Sequence, residues 1–422
     1  MTTLLIFAVI VLAFLVVMRL HRVSDLAAAL RGEREELIPE KDNRTSGRLM
    51  WVIGAIYLVF FTWVPIHFKS VFLPPPASTQ GVWIDAMYHF NWIMLGIVFY
   101  ATNIALFYFS GKYFHRPGKK AFWYPHNNRL ELLWTAIPAM VLIVVIIYGL
   151  SDWNKITAAP DPGTMAVEVY AKQFDWTIRY PGKDKQLGAT DFRLINGDNP
   201  LGIVTGNSVK TRLAELQADL EKAEADLVAQ AEVQPQDQLA KMEEHISHIR
   251  RQREGIMNLE TLMKEDIAVN GGNSTYLHGA DDQVTKEFHL PQNVDVELLI
   301  RSQDVIHSAY LPHMRAQMNA VPGMVTRIHL VPTITTDSMR EVTNNPEFDY
   351  ILLCNKVCGI SHYNMQMPLT VEKPGAFKVW TILLPTFENR AKADEPAPAD
   401  TVKTQVAAEA KADSTTTEMK QH

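Results

Sequence analysis

Cys354 and Cys358 are the only thiols in this chain of 422 residues. They sit four apart in the run Cys354-Asn355-Lys356-Val357-Cys358-Gly359-Ile360-Ser361-His362-Tyr363-Asn364-Met365, so a histidine and then a methionine follow within one short loop. Well upstream, in Asp304-Val305-Ile306-His307-Ser308, another histidine stands in an apolar setting. Two thiolates, two imidazoles and a thioether make a soft donor set, suited to copper rather than to magnesium or calcium. Two thiolates are enough to bridge two copper ions, each taking one histidine, which points to a dinuclear electron-transfer centre. Two plainer readings stand beside it. The cysteines would pair as a disulfide in an oxidising compartment, or join His307 and His362 in a closed zinc site. Neither explains Met365, nor the Val321-Pro322-Gly323 that follows His307.

The segments that must carry these donors are unevenly built. A mean hydropathy of −0.04 and a net charge of −6 describe an ordinary soluble chain with no basic surface for nucleic acid, yet the apolar residues bunch at the N-terminal end. Four stretches read as transmembrane helices: Leu4 to Leu20, Met50 to Ile66, Trp92 to Ser110 and Leu132 to Leu150. The first connection carries Arg22, Arg31, Arg34, Lys41, Arg44 and Arg48, and the third carries Lys112, Arg116, Lys119, Lys120 and Arg129. The second has only Lys69, and Lys155 alone follows the last span. Positive loops stay cytoplasmic, so both termini and everything after residue 150 are expected outside, in the periplasm of a bacterium. The first stretch lacks a basic leader and a small-residue cleavage site, and reads as a retained anchor rather than a signal peptide.

Beyond the spans, Met165 to Gln173, Val294 to Ile300, Val325 to Val331, Tyr350 to Leu353 and Phe377 to Leu384 read as short strands of an all-β sandwich or barrel. Residues 209–267 are different, charged and helical. Leu213, Leu216, Leu220, Ala223 and Leu227 form one apolar seam, and Leu239, Met242, Ile246, Ile249 and Ile256 form another, with Pro235 at the reversal. That pattern predicts an antiparallel helical hairpin inserted between strands. Its His245 and His248 lack soft neighbours and read as solvated. The tail, 389–422, is too poor in large apolar residues to order itself. No C-x-x-C-H run is present, so no covalent haem is expected and the electron donor must be a separate protein.

The cysteine loop resembles the C-x3-C-G-x2-H-x2-M loop of the dinuclear copper A site in cytochrome c oxidase subunit II. Asp304 to Met324 resembles that family's first-histidine loop. The resemblance implies that Cys354 and Cys358 bridge both coppers, that His307 and His362 each cap one, and that Met365 and the Lys356 carbonyl are weak ligands. Lys356 and Asn319 replace the family's usual glutamate and aspartate, which puts a neighbouring magnesium or manganese site in question. The implied fold is a helical transmembrane region followed by a cupredoxin-like Greek-key barrel. Organisation follows: 1–48 as an extra anchor and loop, 49–91 as a second extra helix, 92–150 as the family helix pair, and 151–388 as the copper domain. Gln173-Phe174-Asp175-Trp176 resembles the aromatic stretch that receives electrons, with Phe174 in place of the usual tryptophan and Trp176 at a second aromatic position. Glu131, in Glu131-Leu132-Leu133-Trp134, resembles the glutamate near a proton path; in isolation it is an interfacial acid favoured by the helix dipole. The implied partners are a haem-bearing catalytic subunit, other oxidase subunits, a separate c-type cytochrome and membrane lipid. A copper-containing nitric oxide reductase subunit is the alternative of like chemistry, and a membrane-anchored copper-delivery protein the alternative of another class.

Overall fold

The computed structural model describes residues 2–30, 40–120 and 122–392, except for the side chains of 2–10, 28, 29 and 390–392. Most of the expected disordered tail therefore lies outside the described residues. Four long helices open the chain: α1 (Thr2–Leu30), α2 (Glu40–Phe72), α3 (Thr79–Lys112) and α4 (Asn128–Thr157). Among the described residues, three of them, α2, α3 and α4, are long and apolar enough to cross a membrane. Their 33, 34 and 30 residues exceed the roughly 20 that the hydrocarbon core requires. Their outward faces carry large apolar side chains, Val59, Ile97 and Leu132 among them, as lipid-facing surfaces must. Helices α2 and α3 approach closely where a small residue permits it. A Cβ at Gly54 would lie 2.6 Å from the Phe107 ring, so glycine seats that aromatic. Thr62 and Tyr100 share a hydroxyl hydrogen bond of 2.6 Å across the same pair.

The outer unit is built on two five-stranded sheets. Its strands are β1 (Met165–Lys172), β2 (Asp175–Tyr180), β3 (Gln283–Thr285), β4 (Phe288–Pro291), β5 (Val296–Ser302), β6 (His307–Leu311), β7 (Ala316–Ala320), β8 (Thr326–Leu330), β9 (Tyr350–Cys354) and β10 (Gln366–Glu372). One sheet runs β3-β2-β1-β5-β8 and the other β4-β10-β9-β6-β7. The β1–β5 and β4–β10 pairs are parallel and the rest antiparallel. Alternation along the strands sends Val167, Val169, Trp176, Ile178 and Leu298 into the same core as Leu311, Leu352 and Leu369 of the second sheet. Residues 74–87 belong to this unit too. Ala77 pairs through its N–H with the His313 carbonyl (2.7 Å) and through its carbonyl with the Thr333 N–H (2.8 Å). Arg315 grips Asp85 with two hydrogen bonds of 2.8 and 2.9 Å.

Glu168 on β1 points away from the core and is nonetheless buried, between Arg179 and Arg301. Arg179 also donates to Asp282 (2.9 Å) and to the Gly188 carbonyl (3.0 Å), while Arg301 reaches the Leu201 carbonyl (3.2 Å). The network thus straps the segment leading to the next helix onto the sheet. Burial alone would push the Glu168 carboxyl upward, but the two guanidiniums outweigh it and hold it below the usual carboxylate range.

Helices α5 (Gly206–Gln230) and α6 (Gln236–Asn270) follow that segment. Thr205 starts α5 with a capping box shared with Ser208, and Pro235 stands at the N-cap of α6. Leu216, Leu220, Ile246, Ile249 and Ile256 meet in one apolar cluster, which runs on through Leu259 and Met263 and down to Leu194 and Val204. Leu239 and Met242 fall outside it. The expected strand over Phe377 to Leu384 is instead the helix α8 (Pro374–Leu383), which follows the short α7 (Thr336–Thr343) and β9–β10. Pro374 in its first turn is preset for a helix. Phe377 and Trp380, three apart, then share a face whose ring centroids lie 5.9 and 5.3 Å from that of Tyr180. Aromatic and β-branched composition suggested a strand; the spacing of the aromatics served a helix.

Candidate metal centre

Strand register assembles the site. β6 begins at His307, β9 ends at Cys354, and Ala309 pairs with Cys354 across them. The Asn355 N–H donates to the Ser308 carbonyl (3.0 Å), and the Cys354 N–H to that of Met365 (3.0 Å), one residue before β10. Both ends of the cysteine loop are therefore pinned to strands, and His307 is delivered beside it from a third.

The donors converge. Cys354 Sγ lies 3.8 Å from His307 Nδ1, 3.8 Å from Cys358 Sγ and 3.2 Å from the Lys356 carbonyl oxygen. Cys358 Sγ lies 3.6 Å from His362 Nδ1 and 3.8 Å from Met365 Sδ. Donor atoms of His307, Cys354 and Cys358 all fall within 4.8 Å of one another. Both thiols are free, His307 is wholly buried, Met365 nearly so, and His362 is half-buried at the rim. Burial, together with the neighbouring Cys354 sulfur, pushes the Cys358 thiol up to about 11. The Cys358 thiol thus resists ionising; a cation bound there would remove that resistance, because a ligating thiol is deprotonated outright. Every sequence-derived donor is thus at this one place, and the set matches a soft metal in kind and number.

Two residues that the sequence left without a role support it. Asp304 accepts from His307 Nε2 at 2.8 Å. A carboxylate only accepts, so Nε2 carries the proton and the Nδ1 lone pair faces Cys354. Burial acts to raise the Asp304 carboxyl, but the His307 bond and the backbone N–H groups of Gln173 and Val305 bring it below the usual range. Gln173 in turn donates from its side chain to the Cys358 carbonyl. The signal for Asp304 was its place three residues before His307. Gln173 stood out only as the first residue of the aromatic stretch, with no sign of its bond to the loop.

Of the remaining candidates, Phe174 lies against the loop itself. Gly359 has φ +141°, and a Cβ there would meet the Phe174 ring at 2.8 Å, so this glycine is required for the contact. Trp176 is wholly buried, with its ring centroid 6.3 Å from that of His307, as a core residue behind the site. Glu131 is exposed in the first turn of α4. Asn319 is exposed on β7, opposite Ser308.

Residues 66–151 match the family model for the cytochrome c oxidase subunit II transmembrane domain, and residues 250–373 that for its periplasmic domain. The second match takes in all six donors and leaves out β1 and β2. The alternative cytochrome c oxidase subunit 2 of Bradyrhizobium diazoefficiens is 26% identical over 341 residues, covering 80% of this chain and 93% of that one. Cytochrome c oxidase subunit 2 of Thermostichus vulcanus is 22% identical over 337 residues, covering 78% and 84%. Among solved structures, the periplasmic domain of subunit II of cytochrome oxidase of Bradyrhizobium japonicum aligns at 15% identity and a TM-score of 0.25, over 54% of this chain and 95% of that one. Two matched domains in the order membrane helices then periplasmic β-rich unit, with the thiol loop in its place, make this chain a member of the cytochrome c oxidase subunit II family.

Proposed function

We propose that this chain is the electron-entry subunit of its oxidase, with a dinuclear copper A centre that takes electrons from a separate c-type cytochrome and passes them to haem in the catalytic subunit. The observation that carries it is the convergence of three side-chain donors, from His307, His362 and Met365, and the Lys356 carbonyl on two free thiols. Cys354, Cys358, His307, His362, Met365 and the Lys356 carbonyl would hold the ions. When bound, the copper pair supplies a one-electron relay. The protein's own part is to hold the donors still. Backbone pairing fixes both ends of the loop, Asp304 fixes the His307 ring, and Gln173 fixes the Cys358 carbonyl. Metal ligands anchored by such partners keep their orientation. A cupredoxin-like barrel is the frame we assign to the two sheets.

Phe174 on Gly359 is the electron-entry point in this reading, and Trp176 is packing. Val357, Ile360 and Tyr363 stand more than four-fifths exposed on the same loop, which suits a face that meets partner subunits. We assign α1 as a fourth span, both termini and the copper domain to the periplasmic side, and α5–α6 as an antiparallel hairpin inserted into the family domain, covering its own seam. No carboxylate stands at Lys356 or Asn319 for a magnesium or manganese ion, so none is assigned. Glu131 is proposed to lie at the mouth of a proton path. Glu131→Gln should then slow turnover severalfold at saturating donor, and unchanged turnover removes the role.

The deciding measurement is electron paramagnetic resonance of the copper-loaded full-length protein with copper counted against protein. Two coppers sharing one unpaired electron, giving a seven-line pattern or its envelope, are expected. One copper with a four-line signal, or zinc in its place, would overturn the proposal.

A further inference from the structure

A cavity of about 390 Å³ lies at the basic ends of α2 and α3, lined by Arg44, Arg48, Arg116, Trp51 and Glu40. Three guanidiniums against one carboxylate leave it positively charged. Glu40 is engaged by Arg44 at 2.7 Å, one turn along α2. Arg48 is exposed and has no carboxylate partner among the described residues. Arg116 sits over the Phe114 ring, 4.4 Å from its centroid, which orients the guanidinium, and its N–H groups have no acceptor among the described residues. Trp51 reaches the cavity because Gly111 has no side chain; a Cβ there would lie 2.3 Å from the indole nitrogen. The Tyr108 ring holds Trp51 edge-on at 5.3 Å. Leu49, Val52 and Phe109 are exposed nearby on the same two helices.

We infer that this cavity binds the phosphodiester headgroup of an anionic phospholipid, with Arg48 and Arg116 as the cationic fork and the Trp51 indole N–H as a further donor. The planar guanidinium matches phosphate oxygens two at a time. Tryptophan is favoured at the membrane border, where its ring is half apolar and its N–H wet. A basic pocket between membrane helices on the positively charged side is the kind of site that takes lipid headgroups. The exposed apolar residues beside it suit acyl chains, which a free phosphate would not use. Arg44, Arg48 and Trp51 precede residue 66, where the family match begins, so half of the site is contributed by a helix additional to the matched pair. The lipid then ties α2 to α3 at their charged ends, where the one carboxylate lining the cavity, Glu40, is engaged by Arg44.

The test uses full-length protein, stripped of lipid in detergent and examined by native mass spectrometry, with phosphatidylglycerol, phosphatidylcholine and inorganic phosphate as probes. One phosphatidylglycerol should be retained in preference to phosphatidylcholine. The double variant Arg48→Gln/Arg116→Gln should weaken it roughly thirtyfold, about fivefold per arginine at a membrane surface. Arg48→Lys/Arg116→Lys, which keeps the charge, should retain most of the affinity. Equal retention of both lipids by the wild type overturns the inference, as does undiminished phosphatidylglycerol binding by the folded Gln variant. Inorganic phosphate binding with no preference between the lipids would assign the cavity to a free anion, and overturns it as well. Should the Gln variant fail to fold, the competition between the two lipids on wild-type protein decides alone.

Discussion

Two buried polar clusters in the outer unit are built on opposite principles. Around Glu168, each guanidinium meets a carboxylate: Arg179 reaches Glu168 and Asp282, and Arg301 reaches Glu168. Around Cys354 and Cys358 the polar atoms approach one another at 3.2 to 3.8 Å without an ion pair among them. In the first cluster the guanidiniums are all paired, though Asp282 Oδ1 is left without a hydrogen-bond partner among the described residues, and the network ties β1, β2 and β5 to the segment that carries α5. The second would be completed by the copper proposed above. Burial is common to both; what separates a structural network from a receptive site is whether the buried groups satisfy one another or all face one point.

The contrast can be broken at either cluster, and the largest effect on stability is expected at the ion network. Glu168→Ala leaves Arg179 and Arg301 buried without their shared carboxylate, and removing one partner of a buried ion pair costs about 3–5 kcal/mol. Denaturant unfolding of the full-length protein should show that loss while the folded fraction keeps its copper spectrum. A changed spectrum with unchanged stability would erase the distinction. Asp304→Asn tests the other side. It should weaken copper binding about 10- to 100-fold, the usual effect of losing a partner behind a metal-ligating histidine, and leave unfolding nearly unaffected. Phe174→Ala, the smallest of the three, should lower kcat/KM with the cytochrome donor about fivefold, as truncation of a contact residue worth ~1 kcal/mol does. The copper signal should persist; its loss would make Phe174 a packing residue of the loop.

The gathering of His307, Cys354, Cys358 and Met365, and three of the four expected spans, were legible because their signals are local. Soft ligands within one loop name a metal class by chemistry, and runs of apolar residues name a span by length. The arms of α5 and α6 were legible for the same reason: a seam at three- and four-residue steps needs no knowledge of the rest of the chain. Phe377 to Trp380 failed that test in the other direction, since a short aromatic run has no period long enough to separate strand from helix. The docking of Ala77 and Asp85 onto residues near 313–333 had no local trace at all. Neither did the bond from Gln173 to the loop around Cys358, which joins residues 185 apart.

Residue type and short-range spacing thus marked the thiols, imidazole and thioether that the fold gathers, the apolar helices α2 to α4, and a charged helical pair between strands. Only the tertiary structure decided that Asp304 orients His307, that Phe174 rather than Trp176 lies on the metal loop, and that Glu168 is buried between two arginines. Residue type and short-range period are properties of the chain in one dimension. The meeting of side chains from distant strands depends on register, which shifts every partner when it shifts by one residue.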